Sequence, residues 1–379
     1  MAAFKEIFNA DGARRIGAAI GRAWPDFDEA GFVAAAVPRL PGLELKARVE
    51  ALTEELAARL PAFPEAAPLL AASLGEPHPA AGTTYRPEAE AAADPGLVGM
   101  MCWPVSRYVG RFGVEHPDVA LPLLAQITRR FTAEFAVRPF LVQHRDQTLA
   151  YLRSLTTSDD QHLRRWVSEG TRPRLPWGDR LAEFVADPSP GLELLELLKD
   201  DPSEYVRRSV ANHLGDVAKD NLEFMLTLCE RWAAESDAAD RTWVVRHACR
   251  HPVKQGNPRA LALLGFTVPP RIRVEGVRVE NATLSPGGKQ LLHATVTSES
   301  AQPQRLGVDA VLFRPGARGE RSKVFKGKKL TLAPGASADV VLQAKIAAAK
   351  HEAHYGGTHR LCVQVNGERF GDAPFDVTG

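Results

Sequence analysis

The chain has 379 residues, more than one typical domain, and its 47 lysines and arginines nearly balance its 46 aspartates and glutamates. This length and an apolar content typical of globular proteins predict two or three domains with ample core. No apolar run follows a basic start, and no stretch reaches about 18 consecutive apolar residues, so neither a secretory signal nor a membrane span is expected.

Charge and cysteine usage narrow the class of protein further. Residues 1–100 hold an excess of five acidic side chains, whereas residues 271–379 hold an excess of six basic ones. A net charge near zero therefore leaves room for local patches that bind a polyanion. The four cysteines form no C-x-x-C pair, which predicts reduced, buried thiols in a cytoplasmic protein.

Helical periodicity dominates the first 268 residues. An N-terminal helical region is expected over 1–96, ending in a connection rich in Pro, Gly and Ala over 75–96. Helices are predicted over 45–60, 97–112, 117–129 and 132–155. The helix predicted over 132–155 contains Pro139, which should kink or restart it.

Three similar segments follow at a regular spacing. Residues 161–167 resemble residues 204–210 at an offset of 43, and residues 242–248 resemble them at an offset of 38. That spacing is typical of HEAT-like helical repeats, which stack into a right-handed superhelix with a concave face. The alternative is chance similarity between amphipathic helices. The repeat array is expected over 97–268, with the catalytic face on it.

The central helix, residues 204–221, has two distinct faces. An apolar stripe of Val and Leu runs along one side at helical spacing, while Asn212 and Asp216 lie on the polar side. An ordinary solvated helix has the same pattern. The choice between a functional and a solvated polar face therefore depends on the rest of the chain.

The pattern changes to alternating strands after residue 270. About seven strands over roughly 110 residues predict a small all-β immunoglobulin-like sandwich over 271–379. A basic cluster within it predicts a loop and hairpin that closes on DNA as a clamp, the alternative being an edge strand protected by lysines. The expected strands are 272–279, 291–298, 306–313, 328–332, 338–346, 359–366 and 374–377. The cluster contains Arg314, Arg318, Arg321, Lys323, Lys326, Lys328 and Lys329.

Several motifs together resemble one known family. They are Phe4-Lys5-Glu6, Trp24-Pro25-Asp26-Phe27, Met101-Cys102-Trp103-Pro104, Glu134-Phe135-Ala136-Val137-Arg138-Pro139-Phe140, Leu175-Pro176-Trp177-Gly178, the segment 206–216 and the segment 243–248. This combination is similar to AlkC, a branch of the HEAT-like-repeat alkylpurine DNA glycosylases, over about residues 1–265. The sandwich also resembles the C-terminal extension that some AlkC proteins carry.

The resemblance implies a function. The family comprises monofunctional DNA glycosylases of base excision repair, which remove cationic N3-alkylated bases (3-methyladenine and 3-methylcytosine) and leave an abasic site. It implies no cofactor and no metal, a monomer acting on double-stranded DNA at the bacterial nucleoid, and no deep pocket for a flipped base. The alternative is a non-enzymatic HEAT-repeat scaffold that binds nucleic acid or a protein.

The resemblance also selects catalytic residues. Cleavage moves positive charge from the alkylated base to the deoxyribose, so the site needs negative charge, an electron-rich surface and a held water. Glu134 and Asp216 are the expected carboxylates, and Trp177 the expected aromatic contact to lesion or sugar. On local spacing alone, Glu134 could instead pair with Arg138, Asp216 could face Lys219, and Trp177 could pack its loop onto the array.

DNA-backbone contacts are expected from basic and polar side chains repeated on the stacked helices. Solvated arginines account for about half of such residues by ordinary surface statistics. A metal-like run, His351-Glu352-Ala353-His354, is one residue short of H-E-x-x-H and is interpreted as a loop without metal. The expected contacts are Arg164, Arg165, Arg172, Arg174, Arg207, Arg208, Asn212, Arg246 and His247, with Lys323, Lys326, Lys328 and Lys329 in the sandwich.

Overall fold

The computed structural model describes residues 4–80, 95–316, 319–347 and 356–378. Two compact units are present, residues 1–225 with 238–247, and residues 226–237 with 248–379. Residues 351–354, the metal-like run, and Arg318 lie outside the described part of the chain. Among the described residues, no helix combines the length and apolar character needed to cross a membrane.

Among the described residues up to 263, helices are the main element of secondary structure. The expected mainly helical array is confirmed, and the three similar segments fall within α9, α12 and α14. The helices are α1 (Ala10–Ala23), α2 (Glu29–Ala36), α3 (Leu45–Ala57), α4 (Phe63–Ala72), α5 (Trp103–Phe112), α6 (Pro117–Thr128), α7 (Arg138–Gln143), α8 (Arg145–Ser154), α9 (Gln161–Gly170), α10 (Ala182–Ala186), α11 (Ser189–Leu198), α12 (Glu204–Val217), α13 (Leu222–Glu235), α14 (Ala239–Ala248), α15 (Arg250–Lys254) and α16 (Pro258–Leu263).

Helices α9 and α12 pack against each other through the predicted apolar stripe. Val206, Val210 and Leu214 of α12 are fully buried, as is Trp166 of α9. Helix α9 begins where the Asp160 carboxylate accepts a hydrogen bond from the His162 amide at 2.8 Å, which satisfies one of the unpaired amides of the first turn. The packing fixes the register of two neighbouring repeats.

The helix predicted over 132–155 restarts beside Pro139, as expected, but its first part is not helical, which matters for the site. Residues 134–137 form a turn, α7 begins at Arg138, and a second interruption at His144 separates α7 from α8. Pro139 occupies the second position of α7, where its missing amide hydrogen has no helical partner to lose. Glu134 therefore lies in a turn before a helix and not on a helix face.

The C-terminal strands form two sheets that face each other. One sheet has the order β1-β3-β6 and the other β2-β8-β7-β4-β5. Alternate residues of β3, β4, β6 and β7 meet in the core, among them Leu292, Val308, Leu342 and Val363. The strands are β1 (Ile272–Val279), β2 (Thr283–Leu284), β3 (Lys289–Ser298), β4 (Gln304–Arg314), β5 (Arg321–Leu332), β6 (Ser337–Lys345), β7 (Gly357–Val365) and β8 (Glu368–Val377).

Strand β5 lies at an edge of the larger sheet and is longer than predicted. It pairs only with β4 and contains a bulge at Lys326 and Gly327, opposite Asp309. The Asp309 carboxylate accepts from the Gly327 amide at 2.9 Å and from Lys326 Nζ at 3.0 Å. A Cβ on Gly327 would lie 2.2 Å from the Val308 carbonyl oxygen, so only glycine fits this bulge. The four lysines of the basic cluster lie on this strand and are exposed.

Candidate active site

Glu134 is held by residues from another repeat. Its side chain is 9% exposed, and its Oε2 accepts from Thr132 Oγ1 at 2.7 Å and pairs with a terminal nitrogen of Arg165 at 2.9 Å. The local Glu134–Arg138 pair does not form. Within the described part of the chain, Oε1 of Glu134 has no partner, so this oxygen is available to water or to a ligand.

Asp216 is buried, although its helix position predicted a polar outer face. It is 3% exposed, and its Oδ2 accepts from Arg172 Nε at 2.7 Å while its Oδ1 accepts from Lys219 Nζ at 2.8 Å. The expected Lys219 contact is therefore present together with a buried arginine pair. The polar face of α12 packs on other protein groups at this point and is not simply solvated.

Glu169 of α9 joins these two carboxylates into one chain of ion pairs. Its Oε2 pairs with Arg172 at 2.9 Å and its Oε1 with Arg165 at 3.6 Å. We call Glu134, Arg165, Glu169, Arg172 and Asp216 the ion-pair chain. Three carboxylates alternate with two guanidiniums, and Lys219 at the Asp216 end brings the formal charge of the connected network to zero. Glu134 and Asp216, which are 82 positions apart in the sequence, thus lie at the two ends of one connected network.

The charges of the ion-pair chain stabilise each other. Burial opposes ionisation of Glu169, but the guanidiniums of Arg165 and Arg172 outweigh it and lower the pKa of its carboxyl. Burial likewise opposes the charge on Arg172, while Glu169 and Asp216 raise the pKa of its guanidinium. Glu169 and Arg172 therefore stay ionised at neutral pH. Removing one would leave an unpaired buried charge.

A neutral histidine packs beside this network on α12. Burial, aided by the Arg172 charge, lowers the pKa of His213 to about 4. Its Nδ1 lies 3.0 Å from the Ser168 carbonyl oxygen, so the neutral ring donates there. Gly191 of α11 leaves room for the ring, since a Cβ at that position would come within 3.2 Å of it. The ring is thus a structural residue that faces Arg172 without carrying charge.

Trp177 projects from its loop with a strained backbone. Its φ is +66°, a region that non-glycine residues rarely adopt and that recurs at functional sites. The side chain is 65% exposed, so it does not pack the loop onto the array. Lys46 Nζ donates to the Trp177 carbonyl, and Gly178 packs against Phe135, the neighbour of Glu134. The aromatic face is therefore presented to solvent next to the Glu134 turn.

Arg138 is a site residue that sequence reasoning missed. Its buried guanidinium donates to the carbonyls of Gly170 at 3.1 Å, Arg172 at 2.9 Å and Asp179 at 2.9 Å. Burial lowers its pKa to about 10, and it remains charged at neutral pH. The motif of residues 134–140 thus supplies both the Glu134 carboxylate and the Arg138 guanidinium, which holds the loop that carries Trp177.

Glu169 was also missed, although the sequence contained a signal for it. Arg165, Glu169 and Arg172 are spaced four and then three residues apart, which places oppositely charged side chains next to each other along a helix. The pattern identifies a local ion-pair cluster. It cannot identify Glu134 and Asp216 as the outer members, because those contacts cross between repeats.

Several of the predicted phosphate contacts are instead engaged within the protein. Arg164 binds the Asp201 carboxylate through two nitrogens at 2.6 and 3.0 Å, and Arg207 pairs with Asp240 at 2.8 Å. Arg174 is paired with Asp220 at the surface. Their DNA contact stays a prediction, as it does for Arg165 and Arg172. For the buried members of this group, burial and carboxylate pairing favour a structural role.

A different set of predicted contacts forms an exposed cluster on α12 and α14. Arg208 is 56% exposed, with its guanidinium carbon 5.7 Å from the ring centre of Trp243. His247 stacks on Trp243 at 4.9 Å and lies 3.2 Å from the Asn212 side-chain oxygen. Arg246 is exposed on the same helix. These side chains and the exposed lysines of β5 are placed where a phosphate could reach them, and their DNA contact remains a prediction.

Comparison with known proteins identifies relatives along the whole chain. Residues 273–379 match the family described as "Uncharacterised protein YhaZ, C-terminal Ig-like domain", which confirms the predicted fold of the sandwich. The chain is 30% identical over 380 residues to YhaZ of Bacillus subtilis, covering all of both proteins. It is 34% identical to the Pseudomonas fluorescens alkylpurine DNA glycosylase AlkC, solved with DNA containing an abasic site analog, with a TM-score of 0.87 and full coverage of both chains.

These similarities include both the helical array and the sandwich, and they agree with the motifs identified from the sequence. Identity at this level over the full length, together with the same fold, is the relationship expected between members of one family. The chain therefore belongs to the AlkC family, which joins a HEAT-like helical array to a C-terminal immunoglobulin-like domain.

Proposed function

We propose that this protein is a monofunctional DNA glycosylase of base excision repair. Its substrates are cationic N3-alkylated bases in double-stranded DNA, 3-methyladenine and 3-methylcytosine, and its product is an abasic site. The observation that carries the proposal is the ion-pair chain, whose ends are Glu134 and Asp216, in a chain that matches a DNA-bound AlkC over its full length. No cofactor is needed for the chemistry described next.

The reaction breaks the bond between C1′ of the deoxyribose and the ring nitrogen of the base. The bonding electron pair goes to the base, which leaves neutral, and the positive charge moves to the sugar. Water then adds at C1′ and loses a proton to a carboxylate, giving an abasic site. Negative charge held near the sugar stabilises the transition state more than the ground state, and Glu134 and Asp216, the carboxylates at the two ends of the ion-pair chain, supply it.

The two carboxylates have different surroundings and therefore different proposed roles. Glu134 keeps Oε1 free of described partners, so it can hold the attacking water and accept its proton. Asp216 has both oxygens engaged by cations, so it acts through its field on the cationic sugar. Trp177 contributes an exposed aromatic face that attracts a cationic base.

DNA binding is proposed to involve exposed cations from both units. On the helical array, Arg208 and His247 both contact Trp243, and Arg246 is exposed on the same helix as His247. On the sandwich, the four β5 lysines line an edge strand that could track a phosphate backbone as a clamp. We further propose that residues 97–268 carry the catalytic face and that the protein acts as a monomer.

The test is release of the base from methylated DNA. Wild-type protein is incubated with duplex DNA treated with a methylating agent, and free 3-methyladenine and 3-methylcytosine are separated by chromatography. We expect release by the wild type and none by the Glu134→Gln, Asp216→Asn double variant. Binding of the DNA without any release by the wild type would overturn the enzyme proposal in favour of a nucleic-acid-binding scaffold.

A further inference from the structure

Tyr205 of α12 packs against the ion-pair chain near its Glu134 end. The guanidinium carbon of Arg165 lies over the Tyr205 ring, 5.1 Å from the ring centre. A cation at this distance is attracted by the electron-rich face of an aromatic ring. Asp216, on the same helix, pairs with Arg172 at the other end of the chain. Helix α12 thus contacts both guanidiniums, one through an aromatic ring and one through a carboxylate.

The surroundings of Tyr205 hold its ring in place. Tyr205 is half-buried, and the His162 ring packs edge-on against it, with the ring centres 5.7 Å apart and an interplanar angle of 69°. His162 is buried, and its Nε2 lies 3.2 Å from the Pro79 carbonyl oxygen. Burial lowers the pKa of His162, so the imidazole is neutral at neutral pH and does not repel Arg165. Burial also raises the pKa of the Tyr205 hydroxyl, which therefore stays protonated.

Arg165 divides its guanidinium between two carboxylates. One terminal nitrogen pairs with Glu134 at 2.9 Å and donates to the Thr132 hydroxyl oxygen at 3.0 Å, while the other lies 3.6 Å from Glu169. A planar guanidinium reaches two carboxylates at once only in a narrow range of orientations. The Tyr205 ring lies against this guanidinium and so limits its rotation.

We propose that Tyr205 is a positioning residue for the reaction, whose ring fixes the orientation of Arg165 and, through it, of the Glu134 carboxylate that accepts the proton from water. This inference rests on the proposed function. It requires no contact between Tyr205 and DNA. Because the effect passes through Arg165 to Glu134, it disappears when residue 134 no longer carries a carboxylate.

Three substitutions separate the Tyr205 ring from its hydroxyl and from its bulk. Tyr205→Phe keeps the ring and removes the hydroxyl, whereas Tyr205→Met keeps much of the apolar volume and removes the ring. Tyr151→Met on α8 is the matched control. Tyr151 is also half-buried, and among the described contacts no arginine packs on its ring.

The first measurement is single-turnover release of 3-methyladenine. We expect Tyr205→Met to slow release by about tenfold or more with DNA affinity unchanged, and Tyr205→Phe and Tyr151→Met to stay within about threefold of the wild type. Added to Glu134→Gln, Tyr205→Met should slow release by less than about twofold, since residues that act as a unit are not additive. Equal slowing in the wild-type and Glu134→Gln backgrounds would assign Tyr205 a general structural role and overturn the proposal, as would loss of folding in Tyr205→Met.

The second measurement does not require base release. Rotation of the Arg165 guanidinium exchanges its two terminal nitrogens, and nitrogen-15 NMR measures the rate. We expect exchange about tenfold faster in Tyr205→Met than in the wild type, Tyr205→Phe or Tyr151→Met. This result together with no release by the wild type would support the positioning of Arg165 and overturn only the proposed function. Unchanged exchange, or release at the wild-type rate by Tyr205→Met, would overturn the role of Tyr205 and leave the proposed function standing.

Discussion

The cations of the helical array and those of the β-sandwich are used in opposite ways. Residues 101–270 contain 22 basic and 22 acidic side chains, and many of the arginines are buried in carboxylate pairs such as Arg164–Asp201 and Arg172–Asp216. The sandwich holds a basic excess, and its four β5 lysines are exposed at a sheet edge, where, among the described contacts, Lys326 alone of the four is paired, with Asp309 at 3.0 Å. Paired arginines position acidic groups, whereas exposed lysines remain available to an external polyanion.

This contrast shows that a basic residue predicted from sequence to contact DNA can have either of two roles. An arginine with an acidic partner one repeat away is a structural group, and its substitution should lower stability first. A lysine without such a partner should affect salt-dependent DNA binding first. The following predictions distinguish the structural role from the DNA-binding role, beginning with the largest expected effect.

Replacement of Glu169 should have the largest effect. Glu169→Gln leaves the guanidiniums of Arg165 and Arg172 without the carboxylate between them, and an unpaired buried charge costs about 3–5 kcal/mol. We expect a loss of this size in the urea-unfolding free energy, together with loss of base release. Glu204→Gln is the control, because Glu204 pairs with Arg208 at an exposed site and should change stability by less than about 0.5 kcal/mol. Equal effects of the two variants would contradict the account.

Replacement of Arg138 should have the next largest effect. Arg138→Lys keeps the charge but cannot reach three separate carbonyls, so we expect a loss of about 2–3 kcal/mol. The loop of residues 173–180 should become sensitive to limited proteolysis, and base release should slow. Arg180→Lys, at an exposed position of the same loop, should leave the cleavage pattern as in the wild type. An unchanged pattern in Arg138→Lys would show that Arg138 does not hold the loop.

His213 should give the protein an acid-sensitive stability. Its folded-state pKa of about 4 lies below the unfolded value of about 6.5. Between these values the unfolded chain binds the proton and the folded chain does not, so stability falls as pH falls. We expect about 2 kcal/mol to be lost between pH 6.5 and 5, measured by urea unfolding. His213→Gln should flatten this dependence, and an equally steep profile in that variant would assign the loss to other groups.

The exposed lysines should give the smallest effect on the folded protein. Replacing Lys323, Lys326, Lys328 and Lys329 with Gln should lower the unfolding free energy by no more than about 1 kcal/mol, since only Lys326 of the four has a described carboxylate partner, Asp309. The same change should weaken DNA binding about tenfold near 0.1 M salt. The slope of log affinity against log salt should fall by up to about 3 units. Lys289→Gln with Lys345→Gln is the control, since these exposed lysines face each other on the smaller sheet. An unchanged slope in the fourfold variant would remove the clamp from the proposed function.

The sequence predicted helices and strands well where a regular spacing of apolar residues within one segment determined the structure. The stripe of Val206, Val210 and Leu214 is buried as expected, and β1 has the predicted bounds of 272 and 279. The restart expected at Pro139 is confirmed, but the helix expected over 132–137 was wrong, since α7 begins only at Arg138. The local pattern of apolar residues does not show where a turn interrupts a helix.

The sequence indicated Glu134 and Asp216 as candidates, but it did not indicate the contacts that connect them. Glu134 pairs with Arg165, 31 positions away, and not with Arg138 on the adjacent turn. Asp216 is buried because α12 packs on the neighbouring repeat, which its own polar face does not reveal. Glu169, the link between them, carried only a local ion-pair pattern. Contacts between repeats depend on how the helices stack, and helix periodicity contains no information about that.

The most direct test of the central claim is single-turnover release of 3-methyladenine by Glu134→Gln, Asp216→Asn and the double variant, each first confirmed as folded by its unfolding midpoint. If the two carboxylates act as a unit at one site, each single variant should be slower by more than about a hundredfold. The double variant should then be little slower than the slower single variant. Wild-type rates in either folded single variant would contradict the account.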